Sequence, residues 1–533
     1  MDQRPAWKHR VRLVVKGSLM TILLPLIHRP TRRLLPVVAA MACGAMAGTV
    51  NASVSDDHHG AWGDPHGIRD PLDELATSTL VVSRISYGDL VVQGAAGPET
   101  YPLIFNDPAI SGIQGKIHLD LLLAIPHTPR LESLTLPATG AVPITSSFSS
   151  KSEGALLASA DGRFLTYMGY EAAAGLQGVS NSYTPGANLA GNLAPTYNRE
   201  VARISRDGDV VLQPETNAYS GDNPRGAITV DGSQFYMAGN CDNTLTTVTP
   251  PTGPGTTIGA RYGTLGSDTS IQLGVYSETD AGKESASKHI KDNNFRGLGI
   301  FNGNLYVSKG SGGNGDDGVF QVGTGLPTTT GQTITPLFEL PATDPTTGNN
   351  CIYTPFGFWF ANDHTMYVAD EGNPPASAPT GNFTPDPLAG LEKWSLVTSG
   401  GTSTWVLDYT IQDGLDLGVG ENLSGFPVPT YTYGLRTLTG KHNADGTVTL
   451  FAVTAQDSSI SGGEPDPTKV VAVTDILAAR TLPVHAEARF PHHEGHLERF
   501  VTLHTSGFGE VYRGIALAPH GFLHSPWCFL GDG

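Results

Sequence analysis

The sequence predicts an all-β protein: a single β-propeller, six blades favoured and seven the alternative, whose ring is closed by strands from both ends of the chain. Three observations predict it. The composition, 65 Gly and 38 Pro among 533 residues with only 15% charged, suits many short strands joined by tight turns. A unit of four-strand length recurs along the chain, and self-similarity at such a period marks a stacked or circular repeat. The last copy of that unit lacks partners that the start of the chain can supply.

The first fifty residues stand apart from the rest. Arg4, Lys8, Arg10, Arg12, Lys16, Arg29, Arg32 and Arg33 precede an apolar run from Leu34 to Gly48 and small residues at Val50-Asn51-Ala52. This is the layout of a secretory signal cleaved after Ala52, with Met20 as an alternative start. A retained anchor is the rival reading, because the run is close to the shortest that spans a bilayer. Residues 1–52 are therefore read as the signal, 53–74 as a linker, 75–520 as the propeller and 521–533 as a tail. The signal carries a net charge of +7, so its removal takes the chain from −18 to −25. A surface that acidic argues against nucleic acid as a partner, and no later segment is long and apolar enough to be a membrane helix. The expectation is a secreted or periplasmic monomer. Cys241, Cys351 and Cys528 then remain. A bridge between Cys241 and Cys351 stays open, since sequence carries no geometry.

The repeat opens with a residue followed by Gly, then an apolar strand, a turn, and a second strand ending in an aromatic and small residues. It reads Glu153-Gly154 before ALLASADGRFLTYMGY, Arg225-Gly226 before AITVDGSQFYMAGN, and Arg296-Gly297 before LGIFNGNLYVSKG. Weaker copies follow at Phe356-Gly357, Tyr433-Gly434 and Arg513-Gly514. The six glycines are 72, 71, 60, 77 and 80 residues apart, room for a four-stranded blade with long loops. Asp161-Gly162, Asp231-Gly232, Asn302-Gly303 and Asp445-Gly446 supply hairpin-turn chemistry inside the units. In the fourth unit, Gly390 to Leu396 and Thr404 to Ile411 are the third and fourth strands. The sixth unit ends soon after Arg513 to Ala518, and Thr79 to Tyr87, Lys116 to Ala124 and Leu131 to Leu136 are the strands that complete it. Such closure removes the open edges of a row of strands. A seventh blade would have to lie between Ala172 and Arg199 or near the C-terminus.

This pattern resembles that of secreted bacterial β-propeller proteins, including the lactonase-like and lyase-like groups. SFSSKSEGAL, NAYSGDNPRGA and YVADEG are similar to segments of exported bacterial proteins without an assigned activity. The resemblance covers residues 75 to 520 and implies a fold, not a reaction.

By the repeat alignment, the residues before the six glycines ring one mouth of the channel: Glu153, Arg225, Arg296, Phe356, Tyr433 and Arg513. Three arginines in six equivalent places suit a carboxylate, sulfate or phosphate, which guanidinium groups bind through two parallel hydrogen bonds. An acidic glycan or small anion is the ligand this implies. The plainer role is that each arginine ties its blade to an acid such as Glu153, Asp222, Asp292 or Glu510. For β-elimination from a uronate, Tyr219 and His289 are the candidate proton-transfer groups, although such side chains more often pack or hydrogen-bond structurally. Tyr353, Tyr431, Tyr512, Asn223 and Asn294 share the same loops. Glu153, Asp222, Asp370 and Glu371 are carboxyls for a hydrolase, and with Asn223, Asn240 and Asn294 they form an oxygen set suited to Ca²⁺, as a metal-dependent lactonase would need. A non-catalytic scaffold for protein partners is the alternative from another class. His492-His493-Glu494-Gly495-His496 and Gly310 to Gly318 match no metal motif.

Overall fold

The computed structural model describes residues 11–15, 18–22, 78–94, 97–100, 112–147, 152–242, 253–279, 288–310, 316–341, 353–372, 379–459, 467–483, 497–519 and 522. The chain divides into two compact units, Met1–Gly63 and Asp64–Gly533. In the first, Val11–Val15 pairs antiparallel with Ser18–Ile22. The apolar run and small-residue site of the expected signal lie outside the described residues, as do Cys351, Cys528 and His492 to His496. Cys241 is a buried free thiol.

The second unit is a six-bladed propeller. Blade one consists of Leu156–Ala158, Phe164–Tyr170, Arg199–Ser205 and Val210–Glu215. Blade two runs Pro224–Ile228, Gln234–Gly239, Arg261–Thr264 and Ile271–Gln272, and blade three Phe295–Phe301, Asn304–Lys309, Asp316–Val322 and Ile334–Pro341. In blade four, Pro355–Asn362 and Thr365–Asp370 are followed by Gly390–Ser399 and Thr402–Ile411, the two strands expected there. Blade five holds Thr430–His442, Thr447–Ser458, Lys469–Ile476 and Val501–Thr505, with Gly420–Glu421 added beside the first. Blade six takes its inner strand, Glu510–Leu517, from the end of the chain and Thr79–Ser86, Gln114–Leu123 and Glu132–Thr135 from its start.

That last sheet is the closure the sequence implies. Thr79–Ser86 lies between Glu510–Leu517 and Gln114–Leu123, pairing antiparallel with both. Each inner strand packs on the next, and Glu510–Leu517 returns to Leu156–Ala158, so the ring is complete. Between Ala172 and Arg199 only the isolated bridge Thr184–Ala187 forms, and Val501–Thr505 serves blade five. Neither region adds a seventh blade among the described residues.

Hydrophobic burial explains why the blades stack. Every seam between neighbouring blades holds its own apolar cluster. Val81, Ile117 and Leu121 of blade six meet Leu156, Leu165 and Ile204 of blade one. Phe451 and Val470 of blade five meet Leu80 and Leu122 of blade six. A blade's two faces are thus both covered, and no single sheet could bury them alone. At Asn302-Gly303 both residues have positive φ, 45° and 69°, between the paired Phe301 and Asn304. This is the two-residue hairpin loop that Asn-Gly favours.

Candidate functional site

In five of the six blades the residue ahead of the repeat glycine is aimed by a β-bulge; in blade one Glu153 lies just ahead of its strand, Leu156–Ala158. In blade two Pro224 pairs with Gly239 and Gly226 with Ala238, which leaves Arg225 as the extra residue. In blade five Tyr433 is left over in the same way between Thr432 and Gly434. In blades three and four the register shifts across Arg296-Gly297 and Phe356-Gly357, and in blade six across Arg513-Gly514. A bulge interrupts strand alternation and redirects the side chain it carries. Side-chain hydroxyls then stitch these bulges together. Ser308 Oγ accepts from Gly297 N at 2.7 Å and donates to Phe356 O at 2.5 Å, while Ser83 Oγ accepts from Gly514 N at 2.7 Å and donates to Gly154 O at 2.9 Å.

Five of the six ring residues, all but Phe356, form one polar belt at that end of the axis. The Glu153 carboxylate accepts from Ser146 Oγ at 3.0 Å, Ser147 N at 2.9 Å, Asn223 Nδ2 at 2.8 Å and the Tyr170 hydroxyl. Burial raises its pKa to about 7, with Tyr170, the serines and Arg513 opposing that rise. Glu371, just past the second strand of blade four, receives Arg296 Nη1 at 2.8 Å and Arg436 Nε at 2.9 Å, so it joins blades three and five. Arg296 also reaches Ser152 Oγ at 3.4 Å and lies over the Phe356 ring. Tyr433 donates to Glu371 at 3.4 Å and accepts from Arg436 Nη2 at 2.5 Å. Arg513 is buried against Gly154 and lowers the pKa of Glu153.

Arg225, unlike Arg296 and Arg436, makes no ion pair with Glu371. It is 5% exposed, yet its Nε and Nη1 are covered and have no hydrogen-bond partner among the described residues. Burial and then Arg296 push its pKa down to about 10, against the opposing pull of Asp222, Glu371 and Glu153. Asp222 attracts Arg225, but no hydrogen bond joins the two side chains, and Asp222 Oδ2 accepts from Asn240 Nδ2 at 2.7 Å. Its own pKa is raised to about 6, chiefly by burial. Lys291 is held below its usual range by burial, Arg296 and Arg225. Among the described residues, Arg225, Lys291, Arg296, Arg436 and Arg513 lie at this end with the carboxyls Glu153, Asp222 and Glu371.

The structure brings together Glu153, Arg225, Arg296, Tyr433 and Arg513, while the two proton-transfer candidates turn their polar atoms to backbone carbonyls. Tyr219 is fully buried, its hydroxyl donates to Gly259 O at 3.0 Å, and it packs with Met168, Val201 and Met237. His289 Nε2 lies 3.0 Å from Gly255 O on a one-turn helix, His289–Asp292, and burial lowers its pKa. Both side chains are spent on backbone carbonyls. Tyr353 and Tyr512 likewise belong to apolar clusters at blade seams. Among the described residues no group of three His, Cys, Asp or Glu side chains is placed to hold a metal ion. Asp370, for one, accepts from Thr354 N and Oγ1 and from Gly372 N.

Sequence reasoning missed Arg436 and Lys291. Arg436 sits two residues past its repeat glycine, and a second bulge between Leu435 and Thr437 turns it toward Glu371. Lys291 lies in the approach loop that already held His289 and Asn294, where its charge was the available signal. A cavity of about 330 Å³ lies at another place, the seam of blades six and one, where Leu119, Leu121, Leu134 and Phe522 line it. None of the axial residues touches it.

No protein-family model matches the chain, and no curated protein sequence matches it. Solved structures do resemble it. A putative 6-phosphogluconolactonase from Bacteroides uniformis aligns at 11% identity and a TM-score of 0.32, over 74% of this chain and 79% of that one. A hypothetical selenium-binding protein from Sulfolobus tokodaii aligns at 9% and 0.34, over 86% and 97%. AztD from Citrobacter koseri aligns at 8% and 0.28, over 82% and 98%. Likeness at this level says nothing about activity.

Proposed function

We propose that this chain is an exported propeller that binds an anionic ligand, an acidic sugar or another small carboxylate, sulfate or phosphate, at the Arg225 end of its axis. One observation carries the proposal: a buried guanidinium whose Nε and Nη1 lack an acceptor among the described residues. A buried charge left unpaired costs several kcal/mol after relaxation, so a cation in that state favours an anion that completes it. The excess of cations over carboxyls among those described residues points the same way. Export rests on the basic segment, apolar run and small-residue site of residues 1–52. The proposal stops at binding, because Tyr219 and His289 are engaged by backbone.

Calorimetric titration of the purified chain with uronate-containing, sulfated and neutral glycans tests it, beside Arg225→Ala. Acidic ligands are expected to bind, neutral ones not, and the variant to lose at least about tenfold in affinity, the low end for a charge-assisted pair. Equal binding of neutral ligands, or none by any, would overturn the proposal and favour the protein scaffold.

A further inference from the structure

We infer that what the axial site takes is a single oxyanion-sized group, a sulfate, a phosphate or one carboxylate, which bridges blades two and three by joining Arg225, Lys291 and Arg296. This rests on the anion-binding proposal above and narrows it. Arg225 stands in the bulge of blade two, Arg296 in that of blade three, and Lys291 in the helical turn leading into blade three. Arg296 lowers the proton affinity of both Arg225 and Lys291, and Arg225 lowers that of Lys291, as expected of like charges on these neighbouring segments. No ion pair joins Arg225 or Lys291 to a described carboxylate. Arg296 commits Nη1 to Glu371 and Ser152, and its Nε is buried without a hydrogen-bond partner among the described residues.

What the site can offer a ligand is therefore the Nε and Nη1 groups of Arg225, the Nε–H of Arg296 and the Lys291 ammonium. Arg225 is nearly covered, so the contact is made by one anionic group rather than along a chain of sugars. A tetrahedral or planar oxyanion has enough acceptor positions for all three donors. Because the donors come from two blades, filling the site ties those blades together. Arg296 extends the tie to Ser152 ahead of blade one and to Glu371 of blade four.

The experiment is a thermal melt of the full chain in a zwitterionic buffer of low ionic strength, titrated with sulfate, phosphate or acetate, for wild type and Arg225→Met. Without added anion the variant should melt above wild type, since it replaces an unpaired buried cation with an apolar chain of similar length. Sulfate at a hundred times its Kd should raise the wild-type Tm by about 3 °C. It should move the variant only by the shared effect of ionic strength, so the order of the two reverses. Should Arg225→Met not fold, Lys291→Met serves, with the sulfate-induced rise expected to shrink. The inference is overturned if all three anions shift wild type and variant alike, or if the variant melts lower under every condition. Uronate binding that needs Arg225, without a reversal, would sink this inference and leave the ligand-binding proposal standing. A reversal without organic-acid binding would leave this inference standing and narrow the ligand-binding proposal to inorganic oxyanions.

Discussion

Glu200 shows what this fold does to a carboxyl that it buries without a donor. The side chain is fully covered in the third strand of blade one, and neither oxygen has a hydrogen-bond partner among the described residues. Burial, and then Glu171, raise its pKa to about 8. An acid whose folded pKa lies above its unfolded value binds more protons when folded, so stability falls as pH rises between the two. For Glu200 that window runs from about 4.5 to about 8, at about 1.4 kcal/mol per pH unit across it. Glu200→Gln should match wild type in stability near pH 4.5 and exceed it progressively toward pH 8, as read by urea melts at a series of pH values. A difference that stays constant with pH would show that Glu200 is not taking up a proton on folding. Glu153, also raised to about 7, is a different case because it accepts four hydrogen bonds that a glutamine would disturb.

At the scale of the strand, the repeat glycines matter because a neighbouring blade's backbone comes up against them. A Cβ at Gly297 would lie 2.1 Å from Phe356 O, and one at Gly434 2.1 Å from Glu371 O. Backbone cannot move aside as a side chain can. Gly226 is looser, with its nearest atom, Ala155 Cβ, at 3.2 Å. Gly297→Ala and Gly434→Ala should therefore each cost about 3 kcal/mol in chemical denaturation, and Gly226→Ala under about 1 kcal/mol. Equal costs at the three sites would refute the close-approach account. These glycines were legible because they recur with the repeat, as were the Asp-Gly and Asn-Gly turns and the N-terminal strands that complete blade six. The bulges were not. Period-2 alternation cannot say where a strand gains a residue, so the sequence placed Arg225 and Tyr433 at the mouth but left Arg436, beyond a second bulge, unseen. The contacts of Tyr219 and His289 were out of reach for a related reason. Sequence names the loop that a side chain sits on, while only the fold shows that its polar atom meets Gly259 O or Gly255 O.

For the ring as a whole, the decisive joint is blade six, where the two ends of the propeller meet. Ala518 N donates to Thr79 O at 3.0 Å, so the points at which the chain enters and leaves the propeller are neighbours. If closure rather than chain order holds the ring, those points can be joined by a short flexible linker and the chain opened elsewhere. Gly400-Gly401, an exposed turn with both φ values positive between Ser399 and Thr402, is a suitable opening. The permuted chain keeps every inner strand against both neighbours and every seam cluster intact. It should fold, with a melting temperature within about 5 °C of the parent, as followed by circular dichroism. Removing residues 510–533 has the opposite consequence: blade six loses its inner strand, and the clusters facing blades five and one lose Val511, Tyr512, Ile515 and Ala516. That truncation should not give a cooperative melt, because the blades beside the gap would expose apolar faces and unpaired strand edges to water. A truncated chain that melts cooperatively, beside a permutant that does not fold, would mean that local blade stability holds this molecule together and that closure of the ring is incidental to it.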